Sequence, residues 1–130
     1  MGVAFAVIAY LGYCFYDVFR DHSGRDLATY PGLPPEAHHI YFHKNFVFHC
    51  MVFDIDEAGF HAWVERSGLV DKKGWFPVDG HVHYRIDDDL TITATIDDGI
   101  LIVNRDDGGG GYTVHYDRKR HRAYYDWSMK

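Results

Sequence analysis

The chain begins with an apolar segment that limits what the whole protein can fold into. No charged residue occurs from Gly2 to Tyr16, and Asp17 is the first. Apolar residues recur at helical spacing on one side of this segment, and the opposite side is apolar as well. A helix that is apolar on all sides has to be deeply buried or lie in lipid, and we do not expect the core of so short a chain to enclose it. Residues 1–20 are therefore predicted to form an apolar helix that anchors the protein in a membrane.

The length and the flanks of this segment favour an uncleaved anchor over a processed signal. The uncharged residues span about 22 Å as a helix, and the residues after Asp17 bring it close to the roughly 30 Å of a hydrocarbon layer. No lysine or arginine precedes the segment, and Tyr13 stands where a lipoprotein signal needs a small residue. The residues expected to face lipid are Val7, Ile8, Leu11 and Phe15.

Two other interpretations explain the same segment. In one, residues 2–19 dock onto a protein partner instead of a membrane. In the other, the protein is a soluble cytoplasmic homo-oligomer, and the helix lies in the subunit interface. The membrane anchor is the primary prediction, and with it we expect a bacterial protein whose domain lies outside the cytoplasm.

The residues after the anchor divide into a connector and a domain. Residues 21–36 are polar and contain three prolines, which is typical of a stiffened tether. Residues 37–130 are predicted to form a small domain. It starts with an aromatic hairpin, followed by one amphipathic helix for which Asp56 is a suitable N-cap and Gly68 a suitable C-terminal stop.

The second half of the chain has the pattern of an antiparallel meander. Alternating apolar and polar runs are separated by charged or Asp/Gly-rich segments. Asp98-Gly99, between two such runs, is the strongest hairpin signal in the chain. The predicted fold class is α+β: an N-terminal apolar helix, then one mainly antiparallel sheet, made of a hairpin and a meander, packed on a single amphipathic helix.

Charge and motif content narrow the function. The formal net charge of −6 argues against a nucleic-acid partner, because phosphate binding needs a basic face. Neither cysteine belongs to a CxxC or zinc-type spacing, and no G-x-S-x-G sequence is present. The primary prediction is therefore a membrane-anchored, non-catalytic binding or accessory domain without a cofactor.

The rival prediction is a metal-binding protein or metal-dependent enzyme. His81 and His83 lie two residues apart on a predicted strand, so their side chains point to one face. A carboxylate such as Asp87 would complete three ligands for a divalent metal and leave a position open for water. Other histidines that offer ligands are His38, His39, His43, His49, His115 and His121.

Aromatic residues supply a candidate ligand-binding strip. Tyr112 and Tyr116 share one face of their predicted strand, and Tyr125 and Trp127 share a face of the next. Such a strip can stack on a sugar or a peptide, so these four residues are the predicted ligand-binding set. The same pattern is typical of cross-strand packing within a sheet, and the sequence leaves both interpretations open.

Overall fold

The sheet and an N-terminal helix dominate the fold. The computed structural model describes residues 2–69 and 76–129. Its elements are α1 Gly2–Phe19, β1 His22–Leu27, β2 His38–Lys44, β3 Phe48–Asp54, α2 Glu57–Arg66, β4 Phe76–Arg85, β5 Thr91–Arg105, β6 Gly111–Asp117 and β7 Arg122–Ser128. These seven strands form one antiparallel sheet in the order β1-β2-β3-β7-β6-β5-β4. The predicted α+β class, with an antiparallel sheet and an N-terminal helix, is confirmed.

Helix α2 begins and ends where its sequence signals lie. The Asp56 carboxylate accepts a hydrogen bond from the Gly59 amide at 2.7 Å, which satisfies one free donor of the first turn. After the helix, Gly68 has φ +69°, a left-handed conformation that glycine adopts readily at helix ends. These local signals fix the bounds of the helix without help from packing.

One face of the sheet packs against α2. Phe60, Trp63 and Val64 are the buried residues of the helix. The ring of Phe60 stacks on Tyr116 with centroids 4.6 Å apart, and Trp63 meets Phe53 edge to face at 5.2 Å. The larger of two hydrophobic clusters in the described part of the chain forms here.

The other face of the sheet is covered by the sheet itself. The outer half of the β4–β5 hairpin, residues 80–96, folds back across it and forms a second cluster. The buried members are Val52 and Tyr124 from the centre of the sheet and Val82 and Ile96 from the hairpin. At the hairpin tip, Asp87 forms an ion pair with Arg25 of β1, which ties the two edges of the sheet together.

The Asp98-Gly99 hairpin prediction is wrong, because these residues lie inside the continuous strand β5. Residues 91–101 of this strand pair with β4, and residues 99–105 pair with β6. Between Val78 and Gly80 the register shifts, so β5 carries one extra residue and has a β-bulge at this point. A bulge bends its strand and increases its twist, which directs the outer hairpin over the second face of the sheet.

The structure also differs from the expected tether at 21–36. His22–Leu27 form edge strand β1, paired with β2. In the following loop Pro34 is buried, and Tyr30 and Leu33 pack against the main cluster. The prolines make this loop irregular, but its apolar side chains still pack the loop against the core. The helix α1 is thus joined to the sheet by two residues, Arg20 and Asp21.

Candidate functional site

Helix α1 stands uncovered beside the domain. None of its residues is buried, although it is long and apolar enough to cross a membrane. The residues predicted to face lipid are all exposed: Val7 51%, Ile8 68%, Leu11 51% and Phe15 64%. Eighteen residues at 1.5 Å each give a length of about 27 Å, close to the hydrocarbon thickness of a bilayer.

The junction between α1 and the sheet is lined by exposed apolar side chains. The ring of Phe19 contacts that of Phe46 in the β2–β3 turn, with centroids 4.8 Å apart. Val47 in the same turn accepts a backbone hydrogen bond from Met129, which follows β7. Phe46, Val47 and Met129 are each about half exposed. We call these three residues the apolar rim; they lie at the end of the sheet where α1 enters.

The predicted His81, His83 and Asp87 set is only partly brought together. His81 and His83 are both exposed on β4, and His81 Nδ1 lies 3.1 Å from the Thr95 hydroxyl. Asp87 lies in the β4–β5 turn, where it accepts hydrogen bonds from the backbone and from Arg25. The Arg25 guanidinium lowers the pKa of the Asp87 carboxyl to about 2. The Asp87 carboxylate is thus occupied by hydrogen bonds that stabilise the hairpin tip.

A different group of metal-ligating side chains meets at the far end of the sheet. Ligand atoms of His38, His39 and Asp54 all lie within 4.8 Å of one another. Among the described residues, no other group of three such side chains comes this close together. His38 and Asp54 are cross-strand partners on β2 and β3. Both histidines are candidate ligands in the sequence, but the link to Asp54 is not visible there, because nothing in a single sequence fixes the register between two strands.

The predicted aromatic strip divides between core and surface. Tyr116 is fully buried, and its hydroxyl donates to the Ile55 carbonyl at 2.8 Å. Tyr125 packs edge to face against Trp63 with centroids 6.2 Å apart. Tyr112 and Trp127 are cross-strand partners and are only partly buried. They line an open depression of about 410 Å³, next to the apolar rim.

A polar network that the sequence did not indicate lies on the second face of the sheet. The Arg105 guanidinium donates to Asp126 at 2.7 Å, to Thr113 at 2.8 Å and to Ser128 at 2.8 Å. These four residues come from the ends of three neighbouring strands. In the sequence each one is a polar residue in an alternating strand pattern, so nothing there indicates that they meet. The network holds β5, β6 and β7 in register near the end of the sheet where α1 enters.

Several buried groups near this face are kept uncharged. Burial raises the pKa of Tyr84 well above its usual range and raises that of the Cys50 thiol to about 11. Burial also lowers the pKa of His115, whose Nδ1 has no hydrogen-bond partner in the described part of the chain. At neutral pH Cys50 is a thiol, not a thiolate, and packs as a small hydrophobic group.

His49 makes the stability of the domain depend on pH. It packs between Tyr30 and Tyr125, and burial, aided by the charge of Lys44, lowers its pKa from 6.5 to about 4. The unfolded chain therefore takes up a proton near pH 6.5 that the folded chain does not accept until about pH 4. Stability is expected to be full above pH 6.5 and to fall as the pH drops through this window.

Replacing His49 with glutamine should reduce that pH dependence and leave the part that comes from other groups such as His115. Glutamine keeps an acceptor for the Tyr30 hydroxyl, which lies 3.2 Å from His49 Nε2, but it does not titrate. The measurement is the free energy of urea unfolding at pH 7 and at pH 5, compared between the parent protein and the variant. His81→Gln, at an exposed site, is the matched control and should leave the pH dependence unchanged. Equal pH slopes in the parent and in His49→Gln would contradict the assignment.

The described residues thus offer an uncovered apolar helix, a half-exposed aromatic depression and one histidine–carboxylate cluster. Each is defined by geometry and not by a sequence motif. No family model matches this chain, and comparisons with curated proteins and with solved structures found no match.

Proposed function

We propose that the protein is a single-anchor membrane protein whose α1 inserts into lipid and whose sheet domain is a binding or accessory module at the membrane surface. The observation that carries this proposal is an 18-residue apolar helix none of whose residues is buried. An anchor of this kind would hold a non-catalytic domain at the membrane surface.

The free energy of leaving α1 in water supports insertion. Eight exposed side chains on this helix are Val, Ile, Leu or Phe. Full burial of one such side chain is worth about 1.5–3 kcal/mol, so together they represent on the order of 10 kcal/mol or more. The domain has no free apolar face of matching size among the described residues, since both sheet faces are already covered. Lipid is the environment that covers all sides of the helix at once.

The short junction supports a domain held close to the bilayer. Only Arg20 and Asp21 separate α1 from β1, so the sheet cannot move far from the helix end. The apolar rim lies at the same end and would meet the lipid interface. The Arg20 guanidinium lies 3.5 Å from the carboxylate of Asp17 and forms an ion pair with it. Asp17 would be the acidic residue nearest the lipid. The depression lined by Tyr112 and Trp127 would then face a ligand at the membrane surface.

Membrane fractionation of the full-length protein tests the proposal. The protein is expected to stay in the membrane pellet after an alkaline carbonate wash and to enter solution only with detergent. Recovery in the carbonate supernatant would contradict insertion. In that case, a defined oligomer by light scattering without detergent would instead support burial of α1 in a subunit interface.

A further inference from the structure

We propose that His38, His39 and Asp54 form a binding site for a divalent transition-metal ion of the zinc class. One ligand atom from each residue lies within 4.8 Å of the other two. Around a tetrahedral Zn²⁺, ligand atoms stand about 3.3 Å apart, given bond lengths of roughly 2.0–2.1 Å. Both histidines are exposed, so their rings have room to turn about the Nδ1 hydrogen bonds when a metal binds.

A β-bulge explains how two adjacent histidines reach the same site. In a regular strand, neighbouring side chains point to opposite faces. Here the register between β2 and β3 shifts between His38 and Tyr41, so β2 carries an extra residue. His39 has φ +48°, a left-handed conformation that is uncommon for residues other than glycine. As a result the two imidazole rings lie beside each other, with centroids 5.1 Å apart.

Hydrogen bonds to oxygen acceptors fix the tautomer of both imidazoles. His38 Nδ1 lies 3.0 Å from the Glu36 carbonyl oxygen, and His39 Nδ1 lies 2.5 Å from the Asp26 carboxylate. Each acceptor is an oxygen, so each Nδ1 carries the proton and donates. The Nε2 lone pair of both rings is left for a ligand. Metal-binding histidines are commonly oriented in this way by a carbonyl or carboxylate on the other nitrogen.

The carboxylate of the site is held as well. The Arg122 guanidinium donates to one oxygen of Asp54 at 2.6 Å, which leaves the second oxygen for a metal. The Asp54 side chain is 18% exposed, so its position is well fixed. The carboxylates of Asp54 and Asp26 and the guanidinium of Arg122 together carry a formal charge of −1, which favours a cation.

The donor set selects the class of ion. Two neutral imidazole nitrogens and one carboxylate oxygen suit Zn²⁺ and its first-row neighbours, whereas Ca²⁺ and Mg²⁺ prefer oxygen donors alone. Three protein ligands leave at least one coordination position for water or a ligand from solution. This site is independent of membrane insertion, and it lies at the opposite end of the strands from the apolar rim.

Calorimetric titration of the full-length protein in detergent micelles with ZnCl₂, after removal of metal by a chelator, tests the site. We expect one Zn²⁺ per chain. His38→Gln and His39→Asn should each weaken binding by at least 100-fold, and asparagine at position 39 tolerates the left-handed backbone. Asp26→Asn, which replaces the carboxylate partner of His39 Nδ1 with an uncharged amide, should weaken binding by about 10-fold.

The control is the double variant His81→Gln with His83→Gln, which removes the other exposed pair and should bind Zn²⁺ as the parent does. Far-UV circular dichroism of each variant checks that the fold is kept. Three outcomes would overturn the proposal: no Zn²⁺ binding by the parent, unchanged binding by folded His39→Asn, or loss of binding in the His81/His83 double variant.

Discussion

Replacing Gly99 with alanine is expected to lower the free energy of unfolding by about 3 kcal/mol, at the upper end of the usual cost of overpacking a core. A Cβ at this position would lie 2.5 Å from the Tyr116 carbonyl oxygen and 2.5 Å from the Ile96 side chain. The carbonyl belongs to the backbone of β6 and cannot turn away as a side chain can. Gly99 is also buried at the bulge where β5 changes partner, so strain there reaches both β4 and β6.

Gly109→Ala is the matched control for this prediction. Gly109 lies in the β5–β6 turn with φ +87° and has nothing within 4 Å of an added Cβ, so its cost is conformational alone, about 1–2 kcal/mol. Urea unfolding of both variants in detergent micelles, followed by tryptophan fluorescence, gives the comparison. If position 99 were in an exposed hairpin turn, the two variants would lose similar amounts of stability. A loss at Gly99 no larger than at Gly109 would therefore contradict the continuous strand.

The wrong prediction at Asp98-Gly99 shows that a local sequence signal does not decide between a hairpin turn and a β-bulge. Asp-Gly between alternating runs favours a two-residue hairpin turn, but the same residues also suit a β-bulge. The choice is made by distant partners. Gly99 pairs with Val78 of β4 on one side and with Asp117 of β6 on the other, so the strand continues through it. Those contacts link residues about 20 positions apart, and nothing in the local pattern encodes them.

The cluster of His38, His39 and Asp54 could not be predicted from the sequence for a related reason. Period-two alternation places His38 and His39 on opposite faces, and only the bulge in β2 overrides it. The bulge in β1, where Asp26 has φ +48°, then brings a carboxylate to His39. Alternation correctly predicts a shared face for His81 and His83 on the regular part of β4. It fails at His38 and His39, where the strand is irregular and a site can form.

Local signals succeeded where one element contains all the information. The N-cap Asp56 and the C-terminal Gly68 set the bounds of α2, and the apolar stripe of Phe60 and Trp63 sets its buried face. The helical spacing and the continuous apolarity of its residues are enough to predict helix α1. What covers α1 cannot be read from one chain, because the answer lies outside the chain, and this makes the helix the most informative place to test.

Arginine at two central positions of α1, Ile8→Arg with Leu11→Arg, is expected to release the protein from membranes. Both side chains are exposed near the middle of the helix, where they would meet the centre of the hydrocarbon layer. Each arginine there costs about 2.5–3.5 kcal/mol on insertion scales, so the pair costs about 5 kcal/mol or more. That corresponds to a several-thousandfold change in partitioning. The measurement is the fraction of protein in the membrane pellet after a carbonate wash.

The same two charges placed at the end of the helix provide the control. In Val3→Arg with Phe5→Arg the side chains can reach the interface, so the penalty is small and the protein should stay in the pellet. A depth-dependent result distinguishes insertion from electrostatic attachment, in which both double variants would bind equally. It also distinguishes insertion from a protein interface, in which every exposed position on a fully covered helix would be sensitive. Retention of Ile8→Arg/Leu11→Arg in the pellet would mean that α1 does not cross the hydrocarbon layer, and the domain would then need another means of reaching the membrane.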